Sequence, residues 1–210
     1  MASGRKEERR KQLKKQYEGL DPAYVLQAGK AIAETVISLP VFQRAASVFV
    51  YLSMDREPAT DAIIKAAYVP VFCGVGGGTT KGIRTVSLAK DVEMQGAMGV
   101  ILNAPISNAN LLAVSAAVDI PTIITVVSEE TDISRRILSG ADILNVAGAA
   151  KTPDIVRKIR DKFPDVPIIA TGGNEPELIL KTIEAGANAI TYTPPTPAVL
   201  FKSMMERYRE

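Results

Sequence analysis

The stretch GADILNVAGAAKTPDIVRKIRDKFPDVPIIATGG, residues 140–173, carries the pattern on which the fold prediction depends. It starts with a short apolar strand, continues through a loop and an amphipathic helix, and ends in a second apolar strand. Both strands are nearly continuous in apolar character, which is typical of parallel strands buried on both faces. The stretch therefore predicts a β–α–β unit of a parallel sheet.

The same alternation of strand, loop and helix runs from residue 69 almost to the end of the chain. An earlier apolar run, SVFVYLSM at residues 47–54, adds a seventh strand. The other six predicted strands read VPVFCG, GVILNA, PTIITVV, DILNV, VPIIAT and AITYT. Since the predicted helices between them are short, each connection is expected to be a βα unit.

Two kinds of βα unit alternate along the chain, and they differ in the residues that precede the strand. Gly-Ala pairs stand at residues 96, 140 and 186, and Val-Pro or Ile-Pro steps precede the strands between them. The glycine permits a helix C-cap with positive φ, and proline begins a strand where no ladder donor is needed. Repeating units this short favour a closed (β/α) barrel over an open doubly wound sheet.

The N-terminal part of the chain is predicted to be helical, over residues 6–17 and Pro22–Ser38. Asp21 followed by Pro22 is an N-cap with proline at the first helical position, and Thr60 is a second N-cap candidate. The sequence predicts an α/β fold: a TIM-type (β/α) barrel over residues 46–210, with seven recognisable parallel strands and an N-terminal helical segment over residues 1–45. An eighth strand is missing, so either the first unit is degenerate or a partner subunit covers the gap.

Composition excludes several classes of function. The chain is 47% hydrophobic and 23% charged, as in soluble globular proteins, and its net charge of +2 does not favour nucleic acid. Without histidine there is no Ser-His-Asp triad, Cys-His pair or histidine-ligated metal. The single cysteine, Cys73, excludes an internal disulfide and fits a cytoplasmic location. No apolar run is long enough for a membrane span, and a secretory signal is not expected.

The motifs GADILNV, VPIIATGG and EAGANAI resemble the barrel of 2-keto-3-deoxy-6-phosphogluconate aldolase. This resemblance runs from residue 69 to the end, about two thirds of the chain, extends less clearly back to residue 47, and implies the same barrel. In that family the position of Asn145 holds the lysine that forms a Schiff base, and the catalytic glutamate aligns near Tyr51. An amide nitrogen is delocalised into its carbonyl and cannot form an imine. The resemblance therefore implies a related scaffold without the lysine chemistry.

The first 68 residues resemble the start of 5-formyltetrahydrofolate cyclo-ligase instead. The carrying segments are LDPAYVLQAGKAIAETVISLPVFQRA and YLSMDREPATDAIIKAA. The resemblance implies that Glu57 helps to hold folate and that the basic N-terminus helps to hold ATP. The glycine-rich loop with Gly-Tyr-Tyr-Asp, which that family carries later in the chain, is missing here, so ATP-dependent ring closure is not expected. A fusion of two families, natural or constructed, would explain both resemblances.

Asn145 is the central candidate residue. Side chains alternate along a strand, so if Leu144 and Val146 face the helices, Asn145 faces the barrel interior. Together with Asn103 it would orient a carboxylate or keto oxygen; the alternatives are a bond between the two amides or to water. Lys151 follows in the next loop, as a substitute nucleophile, an anion contact or a surface charge.

Two glycine-rich loops are candidate binding elements. Thr171, Gly172 and Gly173 end a strand before a helix, where barrels commonly bind phosphate; the alternative is a tight turn. The loop GVGGGTTKG holds a run of three glycines and matches no nucleotide motif. It either contacts ligand or is a flexible loop, with its threonines capping the next helix. The candidates in this second loop are Gly76, Gly77, Gly78 and Thr79.

These residues predict a barrel that binds a small phosphorylated or carboxylated metabolite at the carboxyl ends of its strands. Any reaction would be that of a lyase, isomerase or hydrolase without a Schiff base. No cofactor is expected, and no metal motif is present. A folate- or ATP-binding remnant and a non-catalytic or engineered chimeric barrel are the alternatives. Unpaired strand edges at the missing eighth strand predict a homo-oligomer, most simply a dimer.

Overall fold

The computed structural model describes residues 8, 12, 15, 18–53, 60–77, 80, 82–173, 175–191 and 205. Two compact units divide the chain, Met1–Val71 and Phe72–Glu210. Each unit is built around its own secondary-structure elements and is described separately.

The elements of the first unit with described bounds are α1 (Pro22–Ser38), α2 (Pro40–Gln43), β1 (Val48–Tyr51) and α3 (Asp61–Ala66). Residues 8, 12, 15 and 18 are also helical. Asp21 caps α1 by accepting a hydrogen bond from the Ala23 N–H at 2.9 Å, and Pro22 is the first helical residue. Helix α1 thus begins and ends where the sequence predicts. Residues 18–47, all of them described, contain no strand.

Thr60 precedes α3 as predicted, but its side chain does not cap the helix. Its hydroxyl donates to the Tyr51 carbonyl at 2.6 Å and accepts from the Ser53 N–H at 3.2 Å. The side chain ties the end of β1 to the start of α3. Thr60 is therefore the N-cap residue of α3, as predicted, but its hydroxyl accepts from the Ser53 N–H and not from an N–H of the helix.

The second unit begins within β2 and alternates strands with helices. Its six strands pair in chain order and all pairs are parallel, as the apolar strand pattern predicts. A 3-10 turn (Ala149–Lys151) precedes the helix that follows β5. The elements are β2 (Val71–Gly74), α4 (Ile83–Met94), β3 (Gly99–Leu102), α5 (Asn108–Ser115), β4 (Thr122–Val126), α6 (Ile133–Leu138), β5 (Ile143–Val146), α7 (Thr152–Lys162), β6 (Ile168–Thr171), α8 (Pro176–Glu184) and β7 (Ala189–Thr191).

The three repeated glycines end α4, α6 and α8 with the same cap. Gly96, Gly140 and Gly186 have φ values of 92°, 94° and 104°. After α6, the Gly140 N–H donates to the Ile137 carbonyl and the next N–H donates to the Arg136 carbonyl, which is a Schellman motif. Equivalent bonds follow the other two helices. The prediction of positive-φ C-caps is confirmed.

Replacing Gly140 with alanine is expected to destabilise the fold by about 2–3 kcal/mol, because a Cβ there would overlap the Ser115 side chain in addition to the strain of its positive φ. Gly96 is a matched control, since its φ is nearly the same but a Cβ would meet nothing within 4 Å. Gly96→Ala should cost only about 1 kcal/mol. Urea unfolding measures both values, and equal losses would contradict the steric explanation.

In two of the repeats a polar side chain also accepts a hydrogen bond from a backbone N–H at the amino end of the neighbouring strand. A side-chain oxygen of Asp142 accepts a hydrogen bond from the Thr122 N–H at 2.7 Å. Asn188 occupies the same place in the next repeat and accepts from the Ile168 N–H at 2.8 Å. In each case the N–H belongs to the residue that directly follows the proline before the strand. The two repeats therefore share their hydrogen bonding as well as their glycines.

The sheet of the second unit has two unlike faces. Residues on the face that the helices cover are almost fully buried: Cys73, Val100, Leu102, Thr122, Ile124, Val126, Leu144, Val146, Ile168 and Ala170. The opposite face corresponds to a barrel interior. Its lower part is apolar, with Ile101, Ile123 and Ile143 in one row of the register. This apolar row forms the floor beneath the carboxyl ends of the strands.

Candidate functional site

The interior face becomes polar at the carboxyl ends of four consecutive strands, β4 to β7. Thr125 on β4 pairs in register with Asn145 on β5, and Thr171 on β6 pairs with Thr191 on β7. Because residues that pair in a parallel sheet point to the same face, each pair lies side by side. Alternation along the strands places both pairs on the interior face, since Leu144 and Val146 are fully buried on the other.

Asn145 has one satisfied and one unsatisfied side-chain group. Its Nδ2 donates to the Thr125 Oγ1 at 3.3 Å. Its Oδ1 is buried and has no hydrogen-bond partner in the described part of the chain, and the same is true of the Thr191 Oγ1. A buried acceptor without a donor costs about 1–3 kcal/mol. These two oxygens are therefore the groups at the strand ends that have most to gain from a bound molecule.

The interior face of β2–β7 carries no ionisable side chain among its described residues. Its members are Phe72, Gly74, Gly99, Ile101, Ile123, Thr125, Ile143, Asn145, Ile169, Thr171, Ala189 and Thr191. A molecule bound here would meet amide and hydroxyl groups above an apolar floor. The described residues of β2–β7 therefore offer no acid or base on this face.

Lys151 lies in the 3-10 turn that follows β5, and its side chain is exposed. Its backbone N–H donates to the Gly148 carbonyl at 3.1 Å, and Thr152 accepts from the Gly148 N–H at 3.0 Å. These bonds fix the backbone of the turn and do not involve the Lys151 side-chain amine. The lysine stays a predicted anion contact at the rim of the strand ends.

Gly76 and Gly77 approach the loop after β3. Their φ values are 96° and 122°, and the Gly76 carbonyl accepts from the Asn103 N–H at 2.7 Å. A Cβ on Gly77 would lie 3.0 Å from both the N and the O of Asn103, whose own side chain is exposed. The glycines thus meet backbone of the same chain. Of the other predicted residues of this loop, Gly78 and Thr79 lie outside the described residues.

Gly172 and Gly173 have packing and backbone roles at the start of α8. A Cβ on Gly172 would lie 2.9 Å from the Ile179 and Ile190 side chains, and Gly173 has a φ of 67°. Helix α8 starts with a proline that lacks an N–H, between Glu175 and Glu177. These acidic groups make the helix start less favourable for an anion. Phosphate binding at Thr171, Gly172 and Gly173 stays a prediction.

Arg136 on α6 holds the loop that follows β3, and sequence reasoning missed it. Its guanidinium donates to the Ala104 and Ile106 carbonyls and to the Asn108 Oδ1, at 2.7–2.9 Å. Burial lowers the pKa of Arg136. The sequence gives no signal for this role, because Arg135 beside it is the same residue type and yet is exposed.

Cys73 lies on the helix-covered face of β2, and burial raises the pKa of its thiol to about 12. An unfolded thiol loses its proton near pH 8.5, so folding stability from this group is full below that pH and is lost as the pH rises toward 12. The urea midpoint of the wild-type protein should therefore fall more steeply between about pH 8 and pH 10 than that of Cys73→Ala. Parallel pH profiles would contradict this assignment.

A cleft of about 160 Å³ lies between the loop that follows β4, the start of α6, and α7. None of its lining residues belongs to a strand. Its apolar wall includes Ile155, Ile159 and Phe163, and its Lys158 already pairs with Glu129 at 3.6 Å. Because barrel proteins bind ligands at the carboxyl ends of their strands, the polar strand ends are the stronger candidate site.

Comparison with known proteins supports both halves of the sequence interpretation. The model of the 5-formyltetrahydrofolate cyclo-ligase family matches residues 2–70, which end one residue before the boundary of the first unit. Glu57, the folate contact that this resemblance implies, lies outside the described residues. A search of curated proteins finds no match.

Solved structures resemble most of the chain in fold. A protein assigned as a dihydrodipicolinate synthetase from Pseudomonas aeruginosa has a TM-score of 0.58 and 17% identity, over 82% of this chain and 64% of its own. N-acetylneuraminate lyase from Mycoplasma synoviae has a TM-score of 0.61 and 16% identity, over 77% and 62%. A protein assigned as a phosphonomutase from Burkholderia cenocepacia J2315 has a TM-score of 0.52 and 17% identity, over 72% of each chain.

The chain thus spans less than two thirds of the first of these proteins. The similarities and the strand order show that the fold is a TIM-type (β/α) barrel with the seven parallel strands that the sequence predicts, one in the first unit and six in the second. The described residues contain no helix that is long and apolar enough to cross a bilayer.

Proposed function

We propose that this barrel binds a small phosphorylated or carboxylated metabolite at the carboxyl ends of its strands. Any reaction it catalyses is that of a lyase, isomerase or hydrolase that forms no imine. The observation that carries the proposal is the Asn145 carboxamide, which faces the interior and has an unsatisfied Oδ1. The sequence resemblance to 2-keto-3-deoxy-6-phosphogluconate aldolase implies that Asn145 occupies the position of that family's lysine.

The fold supports this location. The carboxyl ends of barrel strands hold the active sites of the characterised enzymes of this fold. Thr125, Asn145, Thr171 and Thr191 converge at that end, and Lys151 lies in the loop that leaves it. We infer that the charged group of the metabolite lies near Lys151, outside the uncharged interior, and that its uncharged part reaches Asn145.

Calorimetric titration with glycerol 3-phosphate and with inorganic phosphate tests the proposal. Both should bind, and Lys151→Gln should weaken both by about three- to tenfold, since it removes one charge near the anion. Lys162→Gln is a matched control, because Lys162 is also exposed but ends α7 rather than preceding it. No heat from either anion would contradict the proposed function.

The match of residues 2–70 supports a second candidate, a folate- or ATP-binding remnant in the first unit. Its test is calorimetry with 5-formyltetrahydrofolate and with ATP, and no heat from either would remove it. The coincidence of the family match with the unit boundary also agrees with a fusion of two families, in which the barrel has no catalytic role.

We further propose that the protein is a homo-oligomer, most simply a dimer in the cytoplasm. The second unit exposes large apolar side chains, among them Ile83, Met94 and Leu138, each more than four fifths exposed. Covering such side chains favours association. Light scattering at micromolar concentration should give the mass of a dimer, and a strictly monomeric mass would contradict the proposal.

A further inference from the structure

We propose that the ligand gives a hydrogen bond to the Asn145 Oδ1 from a hydroxyl group, so that the ligand class is a hydroxylated phosphate or carboxylate, such as a polyol phosphate or a hydroxy acid. This inference rests on the proposed function, and it specifies which part of the metabolite reaches the interior.

The amide of Asn145 is oriented by its neighbour on β4. The Asn145 Nδ2 donates to the Thr125 Oγ1 at 3.3 Å, and the two residues are register partners on adjacent strands. One of the two Nδ2 hydrogens is engaged, and the Oδ1 is a buried acceptor with no partner in the described part of the chain. A carboxylate or keto oxygen is also an acceptor, so it cannot pair with this group. A donor such as a hydroxyl is the group that the unpaired Oδ1 can bind.

The surroundings of Asn145 on the interior face are uncharged. The described interior face has no charged side chain that could neutralise an anion beside Asn145. A hydroxyl group needs no such partner, and it both donates and accepts. The Thr191 Oγ1 is a second buried oxygen without a partner on this face. A ligand hydroxyl would satisfy the Asn145 Oδ1, which an alkyl group would leave unpaired and an oxyanion would repel.

The test compares two matched ligands, glycerol 3-phosphate and n-propyl phosphate. They carry the same phosphate ester and chain length, but only the first has hydroxyls. The wild-type protein should bind glycerol 3-phosphate about tenfold more tightly, because only that ligand donates to the buried oxygens. The affinity ratio is the readout, since a merely structural change at the site weakens both ligands alike.

Two substitutions at position 145 separate hydrogen bonding from shape. Asn145→Leu removes the acceptor, so the ratio should fall to about one. Asn145→Asp keeps an acceptor of the same size; its charge should weaken both phosphates but preserve the ratio. A third variant, Thr125→Val, frees the amide to rotate and should reduce the ratio, whereas Thr125→Ser should retain it. Thr125 is thus a positioning residue, and its two variants keep the test valid if Asn145→Leu does not fold.

Each outcome has a distinct meaning. Equal binding of the two ligands to the wild-type protein would overturn this inference and leave the proposed function standing. A ratio that survives in Asn145→Leu, or in Thr125→Val where Asn145→Leu does not fold, would also overturn it. Failure of both ligands to bind would contradict the proposed function itself.

Discussion

Replacing Asn145 with lysine is expected to produce a protein that borohydride links covalently to pyruvate, whereas the wild-type protein stays unlabelled. The new amine would project into an uncharged interior above Ile143 and Ile169. Desolvation lowers the pKa of a buried lysine, so the amine would be a nucleophile near neutral pH. It would add to the keto carbon with loss of water, and hydride would then reduce the C=N bond to a stable secondary amine.

Mass spectrometry with peptide mapping measures this labelling and locates it. Asn145→Leu is the matched control, since it changes the same position without an amine. Lys151 is present in every variant, so labelling at Lys151 would show that a loop lysine performs the imine chemistry. Labelling of the wild-type protein at any interior position, or none in a folded Asn145→Lys variant, would contradict the orientation assigned to residue 145.

Replacing Arg136 with leucine is expected to destabilise the second unit by about 3 kcal/mol. Three acceptors, the Ala104 and Ile106 carbonyls and the Asn108 Oδ1, would lose their charged donor in a partly buried place. The loop after β3 would loosen with them. Urea unfolding of the variant measures the loss.

Arg135→Leu is the control for charge and helix propensity, because Arg135 is the preceding residue of α6 and is exposed. It should change the stability by less than about 0.5 kcal/mol. Equal losses in the two variants would show that the bonds of Arg136 to the loop contribute nothing measurable.

The secondary structure was largely predictable because its signals are local. Apolar strands, the Asp21-Pro22 helix start and the three Gly-Ala caps each depend on the residues that form them. The barrel class followed from the short repeat, since six parallel strands in chain order need only short helical connections. The helical segment in place of a first strand was visible for the same reason.

The details of the candidate site were less predictable because they depend on contacts between distant residues. Strand alternation gives the face of Asn145 but not the bond to Thr125, twenty residues earlier, that decides which amide atom meets the ligand. The run of glycines from Gly76 suggested a ligand, yet Gly77 is next to the Asn103 backbone. Gly172 likewise has its packing reason in Ile179 and Ile190. A pattern shows that a glycine is needed, and only the fold shows what approaches it.

The most direct test of the account follows the Asn145 side-chain amide by NMR during titration with glycerol 3-phosphate. Comparison of ¹⁵N spectra of the wild-type protein and Asn145→Leu assigns the Nδ2 resonance pair. The account predicts a saturable shift of that pair, with the same midpoint as the calorimetric titration. If the ligand binds while the pair does not move, the molecule lies elsewhere, and the strand ends around Asn145 are not the site.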